Sequence, residues 1–349
     1  MTSKTFTEIH SQYQALKKTI NLVSARKEEC RKFFSDAKPD RIIVAGCGSS
    51  YQLSQAISMS VGIHLGLPSF AIPGGDLMLN MNQYMPLFDG RPMLVIVSRS
   101  GSTSEVLYTI QELKKSDINL AVFCIACTEK SPIAELADFS LEIPWAFDES
   151  VCQTRSVTNL YAAAMLAIAA VARDDTVFES YITLADNGEA YISSFEEDIQ
   201  NLGQSEFTSV AVLADGEGAA LADEAALAFN EIAYTPSTFK HVLDVRHGPI
   251  VLFDKNTVVI LKIGKEHLDY HEALIDDIRK RGSRIIVVSD VELPPIADVS
   301  LQISFGFNLH SMASTAVVMP VAQLLSYYRA VAIHADPDQP DGLDAWIKL

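Results

Sequence analysis

The chain is short of positive charge, of cysteine and of long apolar runs. Its 349 residues hold 27 Lys and Arg against 44 Asp and Glu, a formal net charge of −17. Nucleic-acid binders displace counterions with a basic stripe, so this balance argues against DNA or RNA, and also against an anionic membrane surface. Small anionic ligands are still allowed, because a local nest of donors can overcome an unfavourable global field. The cysteines (Cys30, Cys47, Cys124, Cys127, Cys152) are odd in number and irregularly spaced, which reads as reduced thiols in a cytoplasm. Cys124 and Cys127 have the spacing of half a zinc site, but no second pair exists. They lie in an apolar run and read as buried strand cysteines, so no metal is expected. Apolar stretches such as 162–172 fall well short of the ~20 residues that span a bilayer. Met1 to Lys18 shows no leader pattern. The expectation is a cytoplasmic globular protein with no membrane segment.

What is present is a repeated rhythm. Short β-branched runs occur at Arg41–Ala45, Met93–Val97, Leu120–Ile125 and Phe139–Ile143, then again at Ser209–Leu213, Val258–Ile263, Arg284–Val288 and Val299–Ile303. Each is apolar on consecutive residues, as for strands buried on both faces of a parallel sheet. Helix-period segments lie between the runs, among them Ser104–Lys115 and His271–Arg281, and Thr154–Arg173 and Val317–Ala332 close the two halves. Alternating strand and helix predicts α/β architecture: two tandem, doubly wound parallel-sheet domains, each a flavodoxin-like three-layer sandwich. The expected divisions are a helical segment at 1–36, a first domain at 37–175, a helical connector at 176–204, a second domain at 205–333 and a tail at 334–349.

Ligands of open parallel sheets gather at the carboxyl ends of the strands, where helix N-termini present free N–H groups. The first strand there runs into Gly46-Cys47-Gly48-Ser49-Ser50. The second runs into Ser98-Arg99-Ser100-Gly101-Ser102-Thr103-Ser104, a dense cluster of hydroxyl donors. Hydroxyls plus helix amides suit a phosphate monoester without a metal. Such runs can also be plain N-caps and turns, but two of them on adjacent strands favour phosphate. Neither loop fits G-x-x-x-x-G-K-[ST], and no G-x-G-x-x-G opens a helix after the first strand, which leaves a small phosphorylated ligand rather than a nucleotide. The second half differs at the matching places. Ala214-Asp215-Gly216-Glu217-Gly218 carries carboxylates, and Ile263-Gly264-Lys265-Glu266-His267 has no hydroxyl. Carboxylates repel phosphate, so only the first half is expected to bind it. His267 and His271 are spaced for one helix face but lack the H-E-x-x-H pattern of a metal site.

These loops, together with Glu149–Thr158 and Val245-Arg246-His247-Gly248-Pro249, resemble the sugar-isomerase (SIS) domain family in tandem, from about residue 37 onward. Within it the chain is similar to the isomerase half of glucosamine-6-phosphate synthase, to amino-sugar-6-phosphate deaminase/isomerases and to fructosamine-type 6-phosphate deglycases. The resemblance implies that Ser98, Ser100 and Thr103 hold a sugar 6-phosphate, with Arg99 where the synthase has glutamine. It places Ser49, Ser50, Val151 and Gln153 near the sugar. It makes Glu231 the acid/base that moves a proton between C1 and C2. It makes His247 the group for ring opening and proton transfer, often supplied by a partner subunit, hence a homodimer or higher homo-oligomer.

Aldose–ketose isomerisation and amino-sugar deamination both pass through an enediol or enolamine and need a base near C1/C2 plus an acid at oxygen or nitrogen. Neither needs a cofactor. Three departures from the synthase stand out. Ala228 replaces a lysine three positions before the glutamate. Asp344 and Ala345 stand where a Schiff-base lysine is expected, with Lys348 three residues beyond. Thr2 stands near the start, without the synthase's terminal cysteine, so ammonia from glutamine is not expected. The pattern favours a deaminase or deglycase. The alternatives are a simple ketose/aldose-6-phosphate isomerase, and a non-catalytic phosphosugar sensor, which would need a DNA-binding module that the Phe6–Ala37 segment does not provide. Asn159, Tyr161 and Trp145 fit either pocket lining or core.

Overall fold

The computed structural model describes residues 3–345, and among them lie ten short strands, eight of which arise from the apolar runs. Thr2 and Lys348 lie outside the described residues. The order through the first half is α1 (Lys4–Ala25), α2 (Lys27–Ala37), β1 (Arg41–Gly46), α3 (Ser49–Leu65), β2 (Ser69–Pro73), α4 (Gly74–Leu79), α5 (Met81–Tyr84) and β3 (Pro92–Ser98). It continues with α6 (Ser104–Lys115), β4 (Ala121–Ala126), α7 (Pro132–Leu136), β5 (Phe139–Glu142) and α8 (Arg155–Ala172). After α9 (Asp175–Gln204) follow β6 (Ser209–Leu213), α10 (Ala219–Ile232), β7 (Ser237–Lys240), β8 (Thr257–Lys262) and α11 (Leu268–Arg279). The last elements are β9 (Arg284–Ser289), β10 (Leu301–Ser304), α12 (Ser311–Ser314) and α13 (Val318–Ala332).

The chain divides into two compact units. One holds the first sheet: Ser11–Glu149, Gln153–Ala185 and the tail from Asp344. The other holds the second sheet: residues up to His10, Ser150–Cys152 and Asp186–Leu343. The sheets are parallel, with orders β2-β1-β3-β4-β5 and β7-β6-β8-β9-β10. The rhythm read from sequence is therefore one topology used twice, and the expected tandem doubly wound architecture is what folds.

Alternation along each central strand sorts the core into two layers. Ile43, Ala45, Leu94 and Ile96 face α6 through Val106, Ile110 and Leu113. Ile42, Met93, Val95 and Ile125 face the other way, towards Ile57 and Val61 of α3 and Ala164 and Ile168 of α8. In the second sheet, Ala211, Leu213, Val259, Leu261, Ile285 and Val287 pack against Leu274, Ile275 and Ile278 of α11. Each fully buried Val, Leu or Ile is worth ~1.5–3 kcal/mol over its exposed state, so both faces of these strands drive folding. α8 is long and apolar enough, at 18 residues with mean hydropathy 1.3, to cross a membrane by composition; 83% of it is buried, as in a core helix. Cys124, on β4, and Cys127, just past its end, are buried, and burial pushes the Cys124 thiol up to about 12. All five cysteines are free thiols.

Two strands escape the sequence pattern, β2 and β7. Both are edge strands with mostly half-exposed residues; β2 has only the short apolar stretch 70–72, and β7 has a single large apolar residue, Phe239. α11 starts at Leu268, which leaves His267 outside the helix as a left-handed residue at its N-cap.

Candidate active site

In the first sheet the crossover helices α3 and α6 pack on opposite faces, so the strand order reverses between β1 and β3. That gap at the carboxyl edge is where doubly wound folds place ligands. Both hydroxyl-rich loops open on it. The first turns at Gly46, where an added Cβ would lie 2.6 Å from the backbone carbonyl of Ser50. Backbone cannot yield, so only glycine lets α3 start this close to its strand. Ser49 and Ser50 are buried in the first turn of α3, and Gly48 at its N-cap offers no side-chain cap. Beside them, burial, then the charge of Glu105, pushes the Cys47 thiol up to about 11.

The second loop ties itself. The Ser98 hydroxyl accepts the Gly101 N–H at 2.9 Å, and the Ser100 hydroxyl accepts the Ser102 N–H at 3.2 Å. Gly101 lies at φ +61°, and its carbonyl accepts the Ile133 N–H at 2.9 Å. Thr103 is the N-cap of α6, again without a side-chain cap bond. Two helix N-termini of 12 and 17 residues thus face one gap with buried hydroxyls beside them. Such an arrangement stabilises a bound anion by aligned N–H groups and the helix dipole.

Arg99 is buried, and its guanidinium turns to the tail, donating to the Ala345 carbonyl at 2.6 Å. Its own carbonyl accepts the Cys127 N–H at 3.2 Å. Gln153, in the same unit, accepts a hydrogen bond from the Ser156 hydroxyl at 3.1 Å. The start of α8 is already capped by the buried Asp148, which accepts the N–H groups of Thr154 and Ser156, both at 2.9 Å. No residue pattern marked Asp148 for this, since it lies six positions before the N–H it accepts first. Asn159 and Tyr161 are fully buried along α8, and the Trp145 indole donates to Thr19 at 3.0 Å.

The second-sheet unit holds the remaining residues. Val151 donates its N–H to the Asp338 carbonyl at 3.0 Å. Cys152 packs with Ala228, Ile232, Ala233 and Ala330. Glu231 stands half-buried in the last turn of α10, next in sequence to Ile232 of this cluster. Ala228 is 3% exposed. The position that carries lysine in the synthase is here part of that apolar cluster. His247 follows a short 3-10 turn, Asp244–Arg246, in the crossover from β7 to β8; it is exposed, and its ring makes no hydrogen bond among the described residues. Large aliphatics are exposed with it: Val251 at 68% and Leu252 at 77%.

A doubly wound α/β chain with paired hydroxyl loops at the strand-order reversal defines the class. The SIS domain matches the chain twice, at residues 34–170 and 205–332, and the chain belongs to that family. Glutamine–fructose-6-phosphate aminotransferase (isomerizing) of Sulfurisphaera tokodaii is 26% identical over 339 residues, covering 96% of this chain and 55% of that protein. The chain thus spans about half the length of the curated relatives it matches. The structure of glucosamine-6-phosphate deaminase from Thermotoga maritima is similar at a TM-score of 0.77 and 25% identity, covering 95% of this chain and all of that one. Tagatose-6-phosphate ketose/aldose isomerase from Escherichia coli has the same fold at a TM-score of 0.85 and 20% identity, covering 99% and 98%.

Proposed function

We propose that the chain is a phosphosugar enzyme of the isomerase type, acting on an amino-sugar or amine-linked sugar 6-phosphate as a deaminase or deglycase. The observation that carries this reading is the pair of first-sheet loops, with buried Ser49, Ser50 and Ser98 beside two helix N-termini that lack side-chain caps. A phosphate dianion is the anion that such hydroxyls and helix N-termini favour. Family membership and similarity to a glucosamine-6-phosphate deaminase support the substrate class.

In this reading Ser98, Ser100 and Thr103 fix the phosphate, and Ser49 and Ser50 the adjoining sugar. His247 opens the ring. Glu231 takes the proton from C2 of the 2-amino aldose, passing through an enolamine, and returns it at C1. The resulting C2 imine adds water and expels ammonia, leaving the ketose 6-phosphate. Atoms balance as water in and ammonia out, and only acid/base groups are used. Ala228 in place of lysine accords with nitrogen that arrives on the substrate. The exposed His247, flanked by Val251 and Leu252, suits a second copy of the chain that receives it.

The test is proton NMR in deuterated buffer with glucosamine 6-phosphate and a fructose-lysine-type 6-phosphate. Amine release with deuterium entering C1 or C2 is expected. Exchange without release would replace the reading with a plain isomerase, and two untouched sugars would remove it.

A further inference from the structure

The second sheet repeats the strand order of the first, so it has its own reversal point, between β6 and β8. A cleft of about 320 Å³ opens there, within the size of small-molecule pockets, ~300–1,000 Å³. Its chemistry is not that of the first-sheet loops. At its floor Lys262 Nζ meets Asp290 Oδ1 at 2.8 Å, with the side chains only 9% and 8% exposed. The other carboxylate oxygen of Asp290 accepts the Leu309 N–H at 3.2 Å. A buried ion pair is a poor source of stability, because desolvation offsets its attraction, so its place under a polar cleft calls for another reason.

The walls carry unused polar atoms. Asp215 Oδ1 accepts His241 Nδ1 at 3.0 Å and the Val242 N–H at 3.1 Å; its Oδ2 makes no hydrogen bond among the described residues. His271 Nδ1 is buried without a partner there, and burial lowers the pKa of this imidazole, keeping it neutral at pH 7. Lys265 and Glu266 stand exposed at the rim. Three carboxylates therefore face two ammonium groups, an environment that disfavours a phosphate dianion and accepts an ammonium group beside hydroxyls.

We propose that this cleft is a separate binding site for a small, unphosphorylated polyhydroxylated amine of the amino-sugar type. Asp215 takes the ammonium group, while Lys262 takes a hydroxyl. The site is independent of the reaction proposed above.

Ligand-detected NMR titration with glucosamine tests it, with glucose and inorganic phosphate as comparators. Glucosamine should bind saturably, glucose about tenfold more weakly, and phosphate should not compete, since one charge-assisted hydrogen bond separates the two sugars. Asp215→Asn, at a half-exposed position where the amide oxygen still accepts the Val242 N–H, should weaken glucosamine about tenfold and leave glucose unchanged. The Ser98→Ala/Ser100→Ala variant of the first-sheet loop should leave glucosamine binding intact. Absent glucosamine binding, binding indifferent to Asp215→Asn, or binding lost with the Ser98→Ala/Ser100→Ala variant would each overturn the proposal.

Discussion

Gly101→Ala is the sharpest probe of the loop proposed to hold phosphate. At φ +61° an L-residue pays about 1–2 kcal/mol for the left-handed conformation. The added Cβ would lie 2.1 Å from Ser131 Oγ and 2.3 Å from Ser131 Cβ, so one side must move by roughly an ångström. Ser131 cannot move freely, because its Oγ caps α7 by accepting the Ala134 N–H at 3.3 Å. Overpacking of this kind costs about 1–3 kcal/mol, and the stiffer unfolded chain returns about 0.4–1 kcal/mol. The net expectation is a loss of about 2–4 kcal/mol in urea denaturation. Displacing the loop also misaligns Ser98 and Ser100, so sugar-phosphate affinity should fall by about tenfold or more. Adding Ser131→Gly removes the clash, and the second change should then cost less than it does in the wild-type background. If Gly101→Ala denatured within about 0.5 kcal/mol of wild type and bound sugar phosphate equally well, the assignment of this turn as a preorganised phosphate cradle would fail.

Four further tests address other links. Glu231→Gln should lower turnover by about 10²–10⁴-fold in the deuterium-exchange assay while sugar-phosphate binding persists; loss of both together would make the residue structural. Arg99→Gln keeps a donor but removes the charge, so limited proteolysis should cut the tail near Ala345 faster and KM should rise, whereas an unchanged digest would separate Arg99 from the tail. Asp148→Ala strips α8 of its cap and should cost about 1–2 kcal/mol by thermal denaturation, with Asp148→Asn recovering part of it. Asp338 is subject to burial, which raises its pKa, but hydrogen bonds from Ser3, Thr5 and Lys4 outweigh that and hold it below the usual carboxylate value. Its contribution is therefore present above the unfolded pKa and lost as pH falls through the lower folded one. Asp338→Asn should be less stable than wild type at pH 7 and equal to it under strong acid, and a difference that persisted there would refute the linkage.

The two first-sheet loops of the candidate site were legible before the fold. Gly46, Gly101 and the serines around them announce a strand-to-helix turn with donors, because tight turns need glycine and a helix start beside hydroxyls suits an anion. Asp148 was invisible: its partners lie six and eight residues on, a separation no local pattern marks. The Arg99–Ala345 bond joins positions 246 residues apart and could come only from tertiary packing.

The consecutive apolar runs determined by themselves that the central strands would be buried on both faces, and so that the sheets would be parallel and doubly wound. Alternating helices and the matching rhythm of the halves determined the tandem repeat. Tertiary structure alone decided the edge strands β2 and β7, whose half-exposed residues carry little burial energy: three consecutive apolar residues in β2 and one large apolar residue in β7 are too short a pattern to mark a strand. It also decided what the second half's carboxylates do. Periodicity reports which side of a chain avoids water, whereas the Lys262–Asp290 pair and the orphan His271 nitrogen depend on where distant loops meet.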